Sequence, residues 1–169
     1  MESLINDQIA NEMYSANLYL SMSSYFISLD LDGFSNFYKV QAQEELSHAM
    51  KQFDYLHRVS GKLVMQSIPQ PVTEFKSIDE TIEVTLKHEE EVSKKIYEIA
   101  KEALAEGDFA THTFIQWFIT EQVEEIDTIS HLLQKVRMIK DNTSALYLLN
   151  TELSQRKFAG TIDVNSNAN

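Results

Sequence analysis

The chain has 169 residues, enough for one domain with a proper core and too few to expect two. It has no cysteine, which excludes a disulfide framework, a zinc–thiolate site and a thiol nucleophile. The formal charge of −12, from 26 acids against 14 bases, disfavours a nucleic-acid partner and makes cations the first ligand class to test.

With only four glycines and two prolines, and abundant Ala, Leu, Glu, Lys and Gln, the sequence predicts an all-α fold. Gly33, Gly61, Pro69, Pro71, Gly107 and Gly160 fall between periodic segments and divide the chain into five predicted helices. The first, α1 at about 3–29, carries a core stripe of Ile5, Ile9, Glu12, Ala16, Tyr19, Ser23 and Phe26. Its uncharged stretch from Met13 to Leu29 spans 17 residues with five serines and three tyrosines, so it reads as a buried helix and not a membrane span. Glu2, Asp7 and Glu12 interrupt the region where a secretory signal would need a basic start and an apolar run, and the expected location is cytoplasmic.

Helix α2, at about 35–60, has the stripe Tyr38, Ala42, Glu45, Ala49, Gln52 and Leu56, with His48 one turn beyond Glu45. Helix α3, at about 78–105, gives Ile78, Ile82, Thr85, Glu89, Val92, Ile96, Ile99 and Ala103, behind the capping-box sequence Ser77-Ile-Asp-Glu80. Helix α4, at about 109–139, gives Phe114, Phe118, Glu121, Glu125, Ile129, Leu132 and Val136. A short helix α5 follows at about 144–157, with Asp108 and Asn142 to Ser144 offering caps for α4 and α5. The domain is assigned to residues 1–158, and the polar stretch 159–169 to a loose tail.

Short connections make α1–α2 and α3–α4 antiparallel hairpins. Residues 62–76 can extend about 50 Å, whereas a helix of 26 residues is about 39 Å long, so this connection can run back along the bundle and leave α2 and α3 parallel. All four long helices therefore bring a mid-helix glutamate to the buried stripe at one height. Such a layer is costly unless something positive lies between the carboxylates. Oxygen donors with one imidazole and no sulfur suit iron or manganese. Glu45-Leu-Ser-His48 sets carboxylate and imidazole on adjacent turns, able to hold one ion while the second oxygen bridges to another.

At this point the chain resembles the bacterial non-haem ferritins, through "NEMYSANLY" (11–19), "QAQEELSHAM" (41–50), "FDYL" (53–56), "KHEEE" (87–91), "FIQWFITEQVEEI" (114–126) and "LYLLNTELS" (146–154). The resemblance covers residue 1 to about 157 and implies a ferritin-like four-helix bundle with a long crossover and a short fifth helix. It implies that Glu12, Glu45 and His48 hold one iron, Glu45, Glu89 and Glu125 a second, with Gln122 beside the pair. Glu44, Glu121 and Glu124, with Glu125, look like the family's third iron position. The implied activity is oxidation of Fe(II) by O2 or H2O2 with deposition of ferric oxyhydroxide inside a shell of twenty-four subunits. Bacterioferritins carry a second Glu-x-x-His on the fourth helix; here Gln122-Val-Glu124-Glu125 lacks the histidine, which implies a looser second iron. Leu46 stands where a bacterioferritin would carry its haem-ligand methionine, so no haem is expected.

Each assignment has a plainer alternative. Tyr19 is either a core tyrosine with a satisfied hydroxyl or, as the resemblance suggests, a redox aid. Glu44, Glu121 and Glu124 are third-site ligands or a solvated interior surface. Trp117 reads as packing, His57 as surface, and His88, His112 and His131 as structural. Competing functions are a rubrerythrin- or bacterioferritin-like oxidase, which needs a second histidine or a cysteine pair that this chain lacks, and a non-catalytic helical assembly protein.

Overall fold

The computed structural model describes residues 1–160, and among these every regular element is a helix. The helices are α1 (Glu2–Ser28), α2 (Asp32–Arg58), α3 (Ile78–Glu106), α4 (Phe109–Met138) and α5 (Thr143–Leu153). From 161 onward, the expected tail lies outside the described residues. The predicted caps form. Ser77 accepts from the Glu80 amide, Asp108 from Thr111 and Asn142 from Ala145. The Glu80 carboxylate reaches the Lys76 amide at 2.6 Å, one residue earlier than a capping box requires.

Helix directions follow from what the crossover touches. Just past α2, Lys62 O and Val64 N bond to Asn6 near the start of α1, while Val72 O accepts from Ser21 well along it. Phe75 packs on Tyr25, near the end of α1. The chain has thus travelled back along α1 before α3 begins, and α2 and α3 run parallel, as expected.

Two boundaries differ from the sequence expectation. Helix α2 begins at Asp32, three residues early, and takes Gly33 into its first turn. A Cβ on Gly33 would lie 1.7 Å from the Asn150 carbonyl oxygen, so the glycine is there for the close approach of α5 and not to break a helix. Helix α5 stops at Leu153 instead of 157. The Asn36 amide takes the carbonyls of Leu153, Ser154 and Arg156 at 3.2, 3.4 and 3.0 Å, which holds the chain on α2 where the helix would otherwise continue. Reciprocally, Asn150 Oδ1 accepts from the Gly33 and Phe34 amides at 2.8 and 3.2 Å and caps α2 from outside. Each helix satisfies the open end of the other.

The hydrophobic core is divided. One cluster gathers Phe26, Phe34, Tyr38, Ile82, Ile129 and Leu132 at the α5 end. At the other end Ile5, Ile9 and Leu56 form one group and Ile96, Ile99, Ile115 and Phe118 another. Between them lies a buried polar layer, and that layer is the site.

Candidate metal centre

The stripe residues of the four long helices converge as their periodicity requires. Glu12, Glu45, His48, Glu89, Gln122 and Glu125 are only 1, 2, 4, 1, 3 and 5 % exposed, so this is a core layer and not a solvated face. On α4 the buried face is Ile115, Phe118, Gln122, Glu125 and Ile129, while Phe114 and Glu121, placed on the core stripe from sequence, lie at its edge, half-buried. Gln122 points inward because the stripe on this helix runs one residue off the phase read from Phe114 and Glu121.

Glu12, Glu45 and His48 each offer a ligand atom within 4.8 Å of the others, and His48, Glu121 and Glu125 form a second such group. His48 Nδ1 is 3.7 Å from Glu45 Oε2, and its Nε2 is 4.0 Å from Glu121 Oε1, so the ring stands between two acid groups. Glu89 is turned aside. It accepts from the Tyr19 hydroxyl with one oxygen and from Gln122 Nε2, at 3.0 Å, with the other. Glu44 is half-buried and bonded to Arg156, and Glu124 is exposed.

The electrostatics are those of acids denied water. Burial first, then the charges of Glu89, Glu12 and Glu125, pushes Glu45 well above the usual carboxylate range. Burial lifts Glu89 to about 7 despite the hydrogen bonds from Tyr19 and Gln122. Burial and the Glu89 charge raise Glu125 to about 8, while the Gln41 amide pulls the other way. Burial pushes His48 below its usual value, which keeps the imidazole neutral and its lone pair free to bind a cation. The Tyr19 phenol is pushed well above its usual value by burial and by Glu89, so at neutral pH it is a hydrogen-bond donor.

Several supporting donors were not read as such from the sequence, although Gln52 stands on the predicted α2 stripe. Gln8 and Gln52 both donate to Glu12 Oε1, at 3.0 and 2.9 Å, and Gln41 donates to Glu125 Oε2 at 2.7 Å. Gln8 carried a signal, four residues before Glu12 and hence one turn below it on the same face. After these bonds Glu12 Oε2 remains buried without a hydrogen-bond partner, an acceptor that lacks its counterpart. His88 bonds to Ser15 Oγ at 2.7 Å and its ring lies 6.1 Å from that of Tyr19, on the flank of the site. Trp117 and His48 meet edge to face at 5.4 Å, and Lys51 Nζ lies over the Trp117 ring at 3.2 Å. His57, His112 and His131 stand apart from the centre: His57 and His131 are exposed, His131 pairs with Asp127, and His112 lies beside Gln116.

A four-helix bundle with a crossover and a buried carboxylate–imidazole layer is the architecture of the di-iron carboxylate class. The model of the ferritin-like domain matches residues 2–139. The bacterial non-heme ferritin of Staphylococcus haemolyticus is 38% identical over 154 residues, covering 91% of this chain and 93% of that protein. That of Campylobacter jejuni is 37% identical over 159 residues, with 91% and 95% covered. Among solved structures, an engineered closed form of the Archaeoglobus fulgidus ferritin matches at 44% identity with a TM-score of 0.92, covering 94% of this chain and 96% of that one. The open pore ferritin of the same archaeon matches at 44% identity and a TM-score of 0.92, with 93% and 97% covered. The chain belongs to the ferritin family, and that membership supports iron storage as its function.

No helix among the described residues is long and apolar enough to cross a membrane.

Proposed function

We propose that this protein is a non-haem ferritin with ferroxidase activity. The observation that carries the reading is the unpartnered Glu12 Oε2 in a buried group with Glu45 and His48, because a carboxylate oxygen left without a donor in a dry core, on a group with no counter-ion, is stabilised by a bound cation. Fe(II) is the substrate. Glu12, Glu45 and His48 hold the first ion, and Glu45 bridges to a second held by Glu89 and Glu125, with Gln122 alongside. Glu89 reaches its ion by leaving Tyr19 and Gln122, so those two groups park a ligand as well as support it. Glu44, Glu121, Glu124 and Glu125 form a third position through which iron moves on.

Two Fe(II) ions side by side give one electron each to O2, and with two protons the products are two Fe(III) and H2O2. Hard carboxylate ligands favour the ferric product. The side of the pair away from His48 has oxygen donors only, which holds iron less firmly and suits release toward a mineral of ferric oxyhydroxide. Tyr19, protonated and bonded to Glu89 until iron draws that carboxylate away, is read as the group that supplies a proton or an electron there. Membership of the ferritin family supports a multi-subunit shell, which we take to have twenty-four subunits and to lie in the cytoplasm, as the sequence resemblance implies. Leu46 in place of a methionine supports a shell without haem.

The test is to mix the metal-free assembly with Fe(II) in air, follow ferric absorbance and size the product. Rapid colour development, iron retained with a large species, and slower oxidation in Glu45→Ala are expected. A species that neither oxidises nor retains iron overturns the proposal.

A further inference from the structure

The third position has a resident cation from the chain itself. Arg156 Nη2 donates to Glu44 Oε2 at 2.7 Å, with the two side chains 25 and 21 % exposed. The guanidinium lies over the Phe37 ring at 4.4 Å, and its Nη1 is buried with no hydrogen-bond partner among the described residues. An exposed, mobile arginine would satisfy Nη1 with water. The backbone that carries this one is fixed, because the Asn36 amide clamps the Arg156 carbonyl at 3.0 Å together with those of Leu153 and Ser154.

We infer that Arg156 is a built-in competitor for the third iron position: it neutralises Glu44 while the position is empty and has to be displaced before iron binds there. This rests on the ferroxidase reading of the site. Arginine suits the role because its charge persists at any working pH and its planar fork matches a carboxylate, while the pair is half-exposed and so weak enough to be exchanged. The consequence is a graded set of affinities. Positions whose carboxylates are oriented by neutral amides hold iron tightly, and the position whose carboxylate is already paired holds it briefly. Because Arg156 follows α5 directly, displacing it also loosens the docking of the α5 end on α2. The coupling is reciprocal, so whatever weakens that docking strengthens the third position.

The experiment is an anaerobic equilibrium titration of the whole assembly with Fe(II), and with Zn(II) as a redox-silent probe. In the parent protein two ions per subunit bind tightly and a third at least tenfold more weakly. Arg156→Gln is expected to tighten the third at least tenfold while moving the first two by less than twofold. Arg156→Lys keeps the charge and keeps the third weak, and Glu44→Gln removes the gain when combined with Arg156→Gln. Hydrogen exchange of amides 153–156 in the parent protein gives a readout that needs no variant, and should quicken at saturating Zn(II). Two tight ions with a third indifferent to Arg156, or exchange unchanged by metal, overturns the inference alone. A parent protein that binds no ion at Glu12, Glu45 and His48 overturns the ferroxidase reading beneath it.

Discussion

Metal binding to this layer has to expel protons, and the number can be worked from the carboxylates. With Glu89 at about 7 and Glu125 at about 8, the metal-free protein at pH 6.5 holds about 1.7 protons on these two groups, falling to about 0.1 at pH 9. Glu45, which burial and then three acid neighbours push well above the usual carboxylate range, adds up to one more at the lower pH. His48 arrives neutral and contributes none. The three acids titrate as a group, so the count belongs to the layer and not to a residue. The assay is calorimetric titration with Zn(II), or anaerobic Fe(II), in buffers of different ionisation enthalpy, which separates proton release from binding heat. Release of about 2 to 3 protons per subunit at pH 6.5 is expected, shrinking toward pH 9, with apparent affinity rising over the same range. Glu45→Gln should lower the release by about one. Less than about half a proton released at pH 6.5 would mean that the acids are already ionised in the metal-free layer, and the argument from burial would fail.

The same groups set stability without metal. Their folded values lie above the ordinary 4.5, so their contribution is present in full below about 4.5 and is lost as pH rises through about 8. Raising Glu89 from 4.5 to about 7 corresponds to about 3 kcal/mol at most, so scanning calorimetry of metal-free protein should show the melting temperature falling between pH 5 and 9, and Glu45→Gln should flatten the fall. Gly33→Ala places a methyl against the Asn150 carbonyl and should cost about 2 kcal/mol or more, read as faster hydrogen exchange across α5 with the centre intact. Tyr19→Phe removes the donor to Glu89 and should cost about 1 kcal/mol of stability; it should leave two Zn(II) bound per subunit and slow Fe(II) oxidation in stopped-flow absorbance.

The residues that were legible in sequence are those whose position follows from helical period alone. Glu12 and Glu45 sit on stripes that are apolar on both sides, and Glu89 follows Ile82 and Thr85 and precedes Val92 and Ile96, so the interruption is visible and its depth predictable. The α4 face was harder, because Glu121 and Gln122 are adjacent, both polar, and flanked by aromatics in either phase; only packing decides that Gln122 is inside. The start of α2 and the end of α5 were misplaced for a related reason. Gly33 has the local character of a breaker, and its place in the helix depends on Asn150, 117 residues away. The Arg156–Glu44 pair spans 112 residues and has no periodic signature at all.

The donors around the layer follow a rule that helix period does not impose. Glu12 is oriented by Gln8 and Gln52, Glu125 by Gln41, and Glu89 by Gln122 and Tyr19, all of them neutral. A lysine or arginine at any of these places would relieve the repulsion between the acids more effectively, since a charge-assisted bond is about twice as strong as a neutral one. It would also cancel the negative charge that draws in a dication. An amide or phenol fixes the direction of the oxygen and leaves its charge in place, so the metal-free layer stays strained and the strain is relieved when a cation binds. Glu44, at the partly exposed rim of the layer, is instead paired with a full positive charge from the chain, that of Arg156. The split between neutral donors within and a cation at the rim is what makes the centre bind strongly and its outlet weakly.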